Sequence, residues 1–209
     1  SFDKRSNANA TRLTGKVTFE HEDAYMYCDS AWLFTKSNSL EPYGNVKIEH
    51  GDSLTMTGRF LSYNGNTKLA KVRDSVILIH KQSSLFTDSL NFDREKNIGY
   101  FFDGGEIDHE DINLKSNKGY YYPDYKDYYA VGDSELEHPD YTIFSDSLRY
   151  NTETKKSTFL ASTHIVSDSS RIECFYGWFD NETNTSAFGE NTTIYQKSQT
   201  IKADSVFYD

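Results

Sequence analysis

SSLFTDSLNFD occupies residues 83–93, YTIFSDSLRYN residues 141–151 and QTIKADSVFYD residues 199–209. Each reads as an apolar residue, a small residue, Asp-Ser, an apolar residue and an aromatic. A chain repeats one phrase in this way when it stacks one structural unit on its own copies. Anchored on the small residue before Asp-Ser or its equivalent, the copies fall at Cys28, Gly58, Thr87, Ser116, Ser145, Cys174 and Ala203, in steps of 30 and then 29 residues.

The columns around that anchor are chemically coherent. Two positions before it stand Met26, Met56, Leu85, Leu114, Ile143, Ile172 and Ile201. Three after it stand Ala31, Leu61, Leu90, Gly119, Leu148, Gly177 and Val206, and five after it Leu33, Tyr63, Phe92, Tyr121, Tyr150, Phe179 and Tyr208. A further apolar column, 18 to 20 residues downstream, gathers Val46, Val76, Ile107, Leu136, Ile165 and Ile194, with Val17 from a preceding incomplete copy. Turn signals separate them: Asn64-Gly65, Asp93 to Lys96, Asn151 to Lys155 and Asp180 to Asn184. No stretch sustains helical spacing. The expectation is an all-β protein, antiparallel, with two strands of roughly 8–12 residues in each ~29-residue repeat.

Before Asp-Ser the inward residues are two apart, and after it they lie three and five residues on. An odd step with an unchanged buried face predicts a bulge or corner at Asp-Ser. Asp29, Asp88, Asp146 and Asp204 are therefore read as structural corners, their side chains satisfying backbone groups freed there. A calcium ladder along them is the weaker reading, because Gly-rich nonapeptides are missing.

Composition narrows the function classes. Apolar residues make up 36% and charged residues 26%, yet 16 Tyr and 14 Phe are too many for a disordered chain. The net charge of −10 argues against nucleic acid, which demands a basic stripe. No apolar run is long enough to span a membrane as a helix. Residues 1–12 read as a disordered or trimmed leading segment, and residues 13–209 as a single continuous domain of about seven repeats, the terminal ones incomplete. The last copy stops halfway, leaving a backbone edge that suits either a longer protein or a partner strand.

Cys28 and Cys174 share a column five repeats apart, hence more than about 20 Å at the usual strand spacing, too far for a disulfide. Five of the six histidines, His21, His50, His80, His109 and His138, recur in one column near a strand end. Flanked by Glu and Asp they could form a transition-metal ladder; a recurrent polar strand exit is the simpler reading. No HExxH, CxxC, GxSxG or P-loop is present, so no enzyme, catalytic residue, metal or cofactor is expected.

The phrases IKADSVFYD (201–209) and IFSDSLRYN (143–151), with GNVKIEHGDSLTMTG (44–58) and LTGKVTFEHEDAYMYCDS (13–30), resemble the repeat of the LptA/OstA family, in the manner of a Bacteroidetes-type OstA-like protein. The resemblance covers roughly residues 13 to 209. It implies a twisted β-jellyroll or β-taco solenoid in the periplasm of a Gram-negative bacterium. It further implies a hydrophobic groove shielding the lipid A acyl chains of lipopolysaccharide, and edge-to-edge strand pairing with other Lpt-type β-jellyroll proteins or with itself. The expected groove lining is Met26, Leu33, Met56, Leu61, Leu85, Leu90, Phe92, Ile107, Ile143, Leu148, Ile165, Ile172 and Ile194. The chain departs from the family at Gly58-Arg59, Ser116-Asn117-Lys118 and Cys174-Phe175-Tyr176, and in the Tyr-rich segment GYYYPDYKDYYAVGD (119–133). The rival reading is a structural or adhesive β-solenoid with a filled core, binding glycans or protein through that Tyr-rich face.

Overall fold

The structure, a computed structural model, describes residues 10–21, 24–51 and 54–208. Every regular element among them is a strand, and they fall into two compact units, divided between Phe101 and Phe102. The first unit holds β1 (Ala10–His21), β2 (Ala24–Phe34), β3 (Ser39–His50), β4 (Leu54–Asn64), β5 (Leu69–His80), β6 (Ser83–Asp93) and β7 (Ile98–Phe101). The second holds β8 (Gly105–His109), β9 (Ile112–Ser116), β10 (Lys118–Tyr122), β11 (Asp127–His138), β12 (Tyr141–Asn151) and β13 (Lys156–Phe159). It continues through β14 (Thr163–Ser167), β15 (Ser170–Cys174), β16 (Tyr176–Asp180), β17 (Thr185–Gln196) and β18 (Gln199–Tyr208). Pairing is antiparallel, as in β5 with β6 and β11 with β12; β13 and β14 both run beside β12, and β15 and β16 both beside β17. Among the described residues no helix is long and apolar enough to cross a membrane.

Residues 10–12, assigned from sequence to a leading segment, instead open β1, pairing with Phe34, Leu33 and Trp32. The guanidinium of Arg12 lies over the Trp32 ring, 5.6 Å from its centroid, and adds a side-chain contact to that pairing. Residues 1–9 lie outside the described residues.

Apart from the breaks at the corners, strands are joined by two short devices, one at each of two rims of a unit. At one rim a two-residue connection follows the recurrent histidine, so that His80 pairs with Ser83, His109 with Ile112 and His138 with Tyr141. At the other rim a four-residue turn is nucleated by an Asx side chain. The Oδ1 atoms of Asn64, Asp93, Asn151 and Asp180 each accept the N–H groups two and three residues on, at 2.8–3.1 Å. Turns also stack on one another: Gly65 N–H donates to Asn38 O, Arg94 to Lys68 O, Thr152 to Lys126 O and Asn181 to Lys155 O.

The parity switch expected at Asp-Ser occurs, since Ser83, Leu85 and Thr87 of β6 are buried and then Leu90. Its extra residue, however, lies on the neighbouring strand. Val76 pairs with Thr87 and Arg73 with Ser89, so Asp74 and Ser75 together oppose Asp88. The same two-against-one bulge sets Gly15-Lys16 against Asp29, Gly132-Asp133 against Asp146 and Glu190-Asn191 against Asp204. Both residues of each pair are left-handed, with φ of 64° and 53° at Asp74 and Ser75.

The corners bend the strands back on themselves. Tyr141 and Tyr150 of β12 are nine residues apart, about 30 Å if extended. Yet in the second unit Tyr141, at the two-residue rim, lies 4.7 Å from the ring of Phe179, while Tyr150, near the turn rim, reaches His109 at the two-residue rim. In the second unit a long strand such as β12 thus contributes one half to each of two facing layers, with β13 beside one half and β14 beside the other. The core lies between them, closed on one side by continuous backbone at the corners.

Candidate functional site

The interior of each unit is a set of stacked side-chain columns. In the second unit Ile107, Leu136, Ile165 and Ile194 form one, cross-strand to Leu114, Ile143, Ile172 and Ile201; in the first, Leu78 is cross-strand to Leu85. Val17, Val46 and Val76, grouped from sequence with Ile107, belong instead to a second column, against the anchors Cys28, Gly58 and Thr87. The difference between 18 and 20 downstream residues marks this, since two positions along a strand keep the same face but move one pair along the ladder. Two inward sets were missed: Leu40, Ala70 and Gly99 in the first unit with Tyr128, Ser157 and Ser186 at the corresponding repeat positions of the second, and Pro42, Val72 and Phe101 with Ala130, Phe159 and Phe188, all buried. Both recur at 29 or 30 residues, but their chemistry varies too much to stand out as a motif.

Of the expected lining, Met56, Leu61, Leu85, Leu90, Ile107, Ile143, Leu148, Ile165 and Ile194 are buried, and Met26, Leu33, Phe92 and Ile172 are half-buried. Leu90, Ile143 and Leu148 retain 0% of their accessible surface, so an incoming chain must part the layers there. Full burial of each such side chain stabilises the closed interior by about 1.5–3 kcal/mol.

The second unit is lined differently along its corner. Where the first unit has Val46 and Val76, the second has Ser134, Thr163 and Thr192, all buried. Thr163 Oγ1 donates to Ala161 O at 2.7 Å and also contacts Ser145 Oγ at 2.9 Å. Ser134 Oγ, Ser157 Oγ and Thr192 Oγ1 are buried with no hydrogen-bond partner among the described residues.

The corner hydrogen bonds are made by the anchors rather than by the aspartates. Thr87 Oγ1 accepts from Ser89 N–H at 3.3 Å, Ser145 Oγ donates to Ser147 O at 3.0 Å, and Ser116 Oγ donates to Lys118 O at 2.8 Å. Asp29, Asp88, Asp146 and Asp204 point outward and are exposed; Asp29 Oδ2 accepts from Asn45 Nδ2 of the facing bulge at 2.9 Å. An inward anchor must be small and is already beside the opened ladder, which is why its hydroxyl, not the outward carboxylate, bridges the bend. Both cysteines are free and buried; burial raises the Cys28 thiol above its ordinary value and pushes that of Cys174 up to about 11.

Opposite the corners, side chains close the second unit across its rims. The Nδ1 of His109 lies 2.9 Å from the Tyr150 hydroxyl, and the Tyr141 hydroxyl donates to Asn181 Oδ1 at 2.5 Å. Lys155 Nζ of the four-residue turn meets Glu110 Oε2 of the two-residue connection at 2.7 Å. Burial raises the pKa values of the Tyr150 and Tyr141 phenols and lowers that of the His109 imidazole. The Lys155 ammonium holds the Glu110 carboxyl below its ordinary value.

The other recurrent histidines go separate ways: His138 stacks on Tyr141 at 4.6 Å and His50 is exposed. Among the described residues no group of three or more His, Cys, Asp or Glu could hold a metal ion. The Tyr-rich segment divides between the faces. Tyr121 and Tyr128 stack inside at 4.3 Å, with burial pushing the Tyr121 phenol up to about 12. Tyr122 and Tyr129 meet edge to face on the outer surface, and Tyr125 in the turn is 70% exposed.

The sequence model of a family described as OstA-like protein matches residues 1–146 and 130–204. No curated protein matches the chain. Among solved structures it is similar to LptH of Pseudomonas aeruginosa, the LptA-homologous periplasmic component of a lipopolysaccharide transport device. The identity is 12% and the TM-score 0.30, over 65% of this chain and 81% of that one.

Proposed function

The chain belongs to the OstA-like protein family, and from that premise we propose that it binds lipopolysaccharide in the periplasm and shields the acyl chains between its two strand layers. The family is one of non-enzymatic transport proteins. The observation that carries the reading is the asymmetry of closure in the second unit. Backbone seals the corner side of the apolar columns, whereas side chains alone, His109 with Tyr150, Tyr141 with Asn181 and Glu110 with Lys155, close the other. Apolar columns behind such a closure suit a chain that must enter sideways and leave again, and burial of the chain against them supplies about 25 cal/mol per Å².

We further infer from that membership edge-to-edge strand pairing with a second copy or another Lpt-type protein.

A photocrosslinking amino acid at Leu90, Ile143 or the half-buried Ile172 captures lipopolysaccharide if the layers part around the acyl chains. The outward control is Tyr125; Tyr121, being buried, cannot serve. Capture at Tyr125 and at none of the interior positions overturns the reading in favour of an adhesive surface.

A further inference from the structure

We propose that Lys155 is the residue that receives the anionic head group of the bound amphiphile, exchanging Glu110 for a ligand phosphate as the rim of the second unit opens. This rests on the lipid-binding reading above.

Lys155 is the last residue of a four-residue turn, with the left-handed φ of 52° that ends such turns, so its position is fixed by the Asx turn that Asn151 nucleates. Its ammonium lies 2.7 Å from Glu110 across the rim, and both side chains are more than a third exposed. An ion pair in that setting is weak and screened by salt, which suits a contact that must break. Directly behind it lie the neutral contacts of His109 with Tyr150 and of Tyr141 with Asn181. Opening the rim separates Lys155 from Glu110 and leaves an unpaired ammonium at the mouth. A phosphate there regains the lost partner with a doubly charged acceptor, a stronger one than a carboxylate.

The other charges near Lys155 are the acidic Asp111, beside Glu110, and Glu182 in the next turn, and the cation Lys156, whose ammonium lies over the Trp178 ring at 3.7 Å. Lys126, in the preceding turn, is already paired with Glu153 of the Lys155 turn at 2.8 Å. Lys155 is therefore the cation at this rim whose partner sits on the opposite layer and departs on opening. Inside, the unpartnered hydroxyls of Ser134, Ser157 and Thr192 favour the same opening, because a buried hydroxyl without a partner is penalised in the closed state and not when water reaches it.

The test compares two probes on the full chain: labelled lipid A bearing its phosphates, and the same lipid after enzymatic dephosphorylation. Lys155→Gln is expected to weaken the phosphorylated probe about tenfold, the worth of one charge-assisted hydrogen bond, and to leave the dephosphorylated one unchanged. Lys155→Arg should restore discrimination. Glu110→Gln removes the competitor and should strengthen the phosphorylated probe several-fold while speeding amide exchange in residues 108–112 and 150–156. Equal effects of Lys155→Gln on both probes, or none on either, overturn the assignment of Lys155. Unchanged exchange in Glu110→Gln overturns the opening of this rim. If the wild-type chain captures neither probe, the lipid-binding reading fails, and this assignment with it.

Discussion

At the scale of single residues, side chains that stabilise the two rims differ in how they respond to substitution and to pH. Asn151 accepts from Glu153 and Thr154 N–H and donates to Tyr125 O and Asp127 Oδ1. Asn151→Ala should therefore cost about 2 kcal/mol, read by chemical denaturation. Asp180 occupies the same position in the next turn, and its carboxyl is held below its ordinary value of 3.8, chiefly by Thr183 N–H. Its contribution is full above that value and lost as pH falls through the lowered folded one. Asp180→Asn keeps the turn, as Asn64 and Asn151 do, and should flatten the acid limb of the stability profile without moving the neutral plateau. His109 titrates higher. Its folded pKa lies below the ordinary 6.5 because of burial, so the unfolded chain binds the proton more readily, and stability should fall as pH drops below about 6.5. His109→Asn should remove that slope between pH 7.5 and 5.5 in thermal melts. The Asx turns were readable in the sequence because Asn and Asp act there on their own backbone, two and three residues on. The corner hydrogen bonds were not, since whether the anchor hydroxyl or the carboxylate bridges the bend depends on which of them faces inward.

At the scale of strands and corners, the period was legible and the registers were not. The 29-residue step located the turns and the site of each bend, but not that the backbone is interrupted there: β9 and β10, β13 and β14, and β15 and β16 are short strands where one long strand was expected. It did not reveal that the extra residue of each bulge lies on the facing strand, because a parity switch has the same sequence signature whichever strand carries it. The left-handed pairs make this testable. Asp74 and Ser75 adopt left-handed φ without being glycines, at a cost of roughly 1–2 kcal/mol per residue. Gly132 fills the place of Asp74 in the second unit, so Asp74→Gly should stabilise by about 1 kcal/mol, seen as a raised urea midpoint at constant slope. Gly177 presents the opposite case. It lies between Phe159 and Phe188, whose rings stack 6.3 Å apart, and an added Cβ would lie 2.5 Å from Ala187 O. Gly177→Ala must displace backbone and should cost on the order of 1–3 kcal/mol.

At the scale of the whole molecule, the interior of each unit is closed, and that of the second holds buried hydroxyls without a partner among the described residues. The sequence could assign apolar columns to the inside, but not say whether facing layers touch, because their separation depends on how far each corner bends. Leu90 and Ile143 are fully buried, so capture requires an opening. The unpartnered Ser134 and Thr192 hydroxyls bear on whether that opening admits water. Ser134→Ala and Thr192→Val each remove a buried, unsatisfied hydroxyl with little change of shape and should stabilise the fold by about 1 kcal/mol. Thr163→Val, in the same column, should destabilise, because Thr163 Oγ1 is bonded to Ala161 O and Ser145 Oγ. If the layers part through a hydrated open state, the double variant Ser134→Ala/Thr192→Val loses about 2 kcal/mol of help towards opening. Lipopolysaccharide association should then slow by up to roughly thirtyfold, although the interior has become more apolar. A groove standing open before the ligand arrives would show no such slowing, or a faster approach. Stopped-flow association of labelled lipopolysaccharide separates the two by the sign of the change.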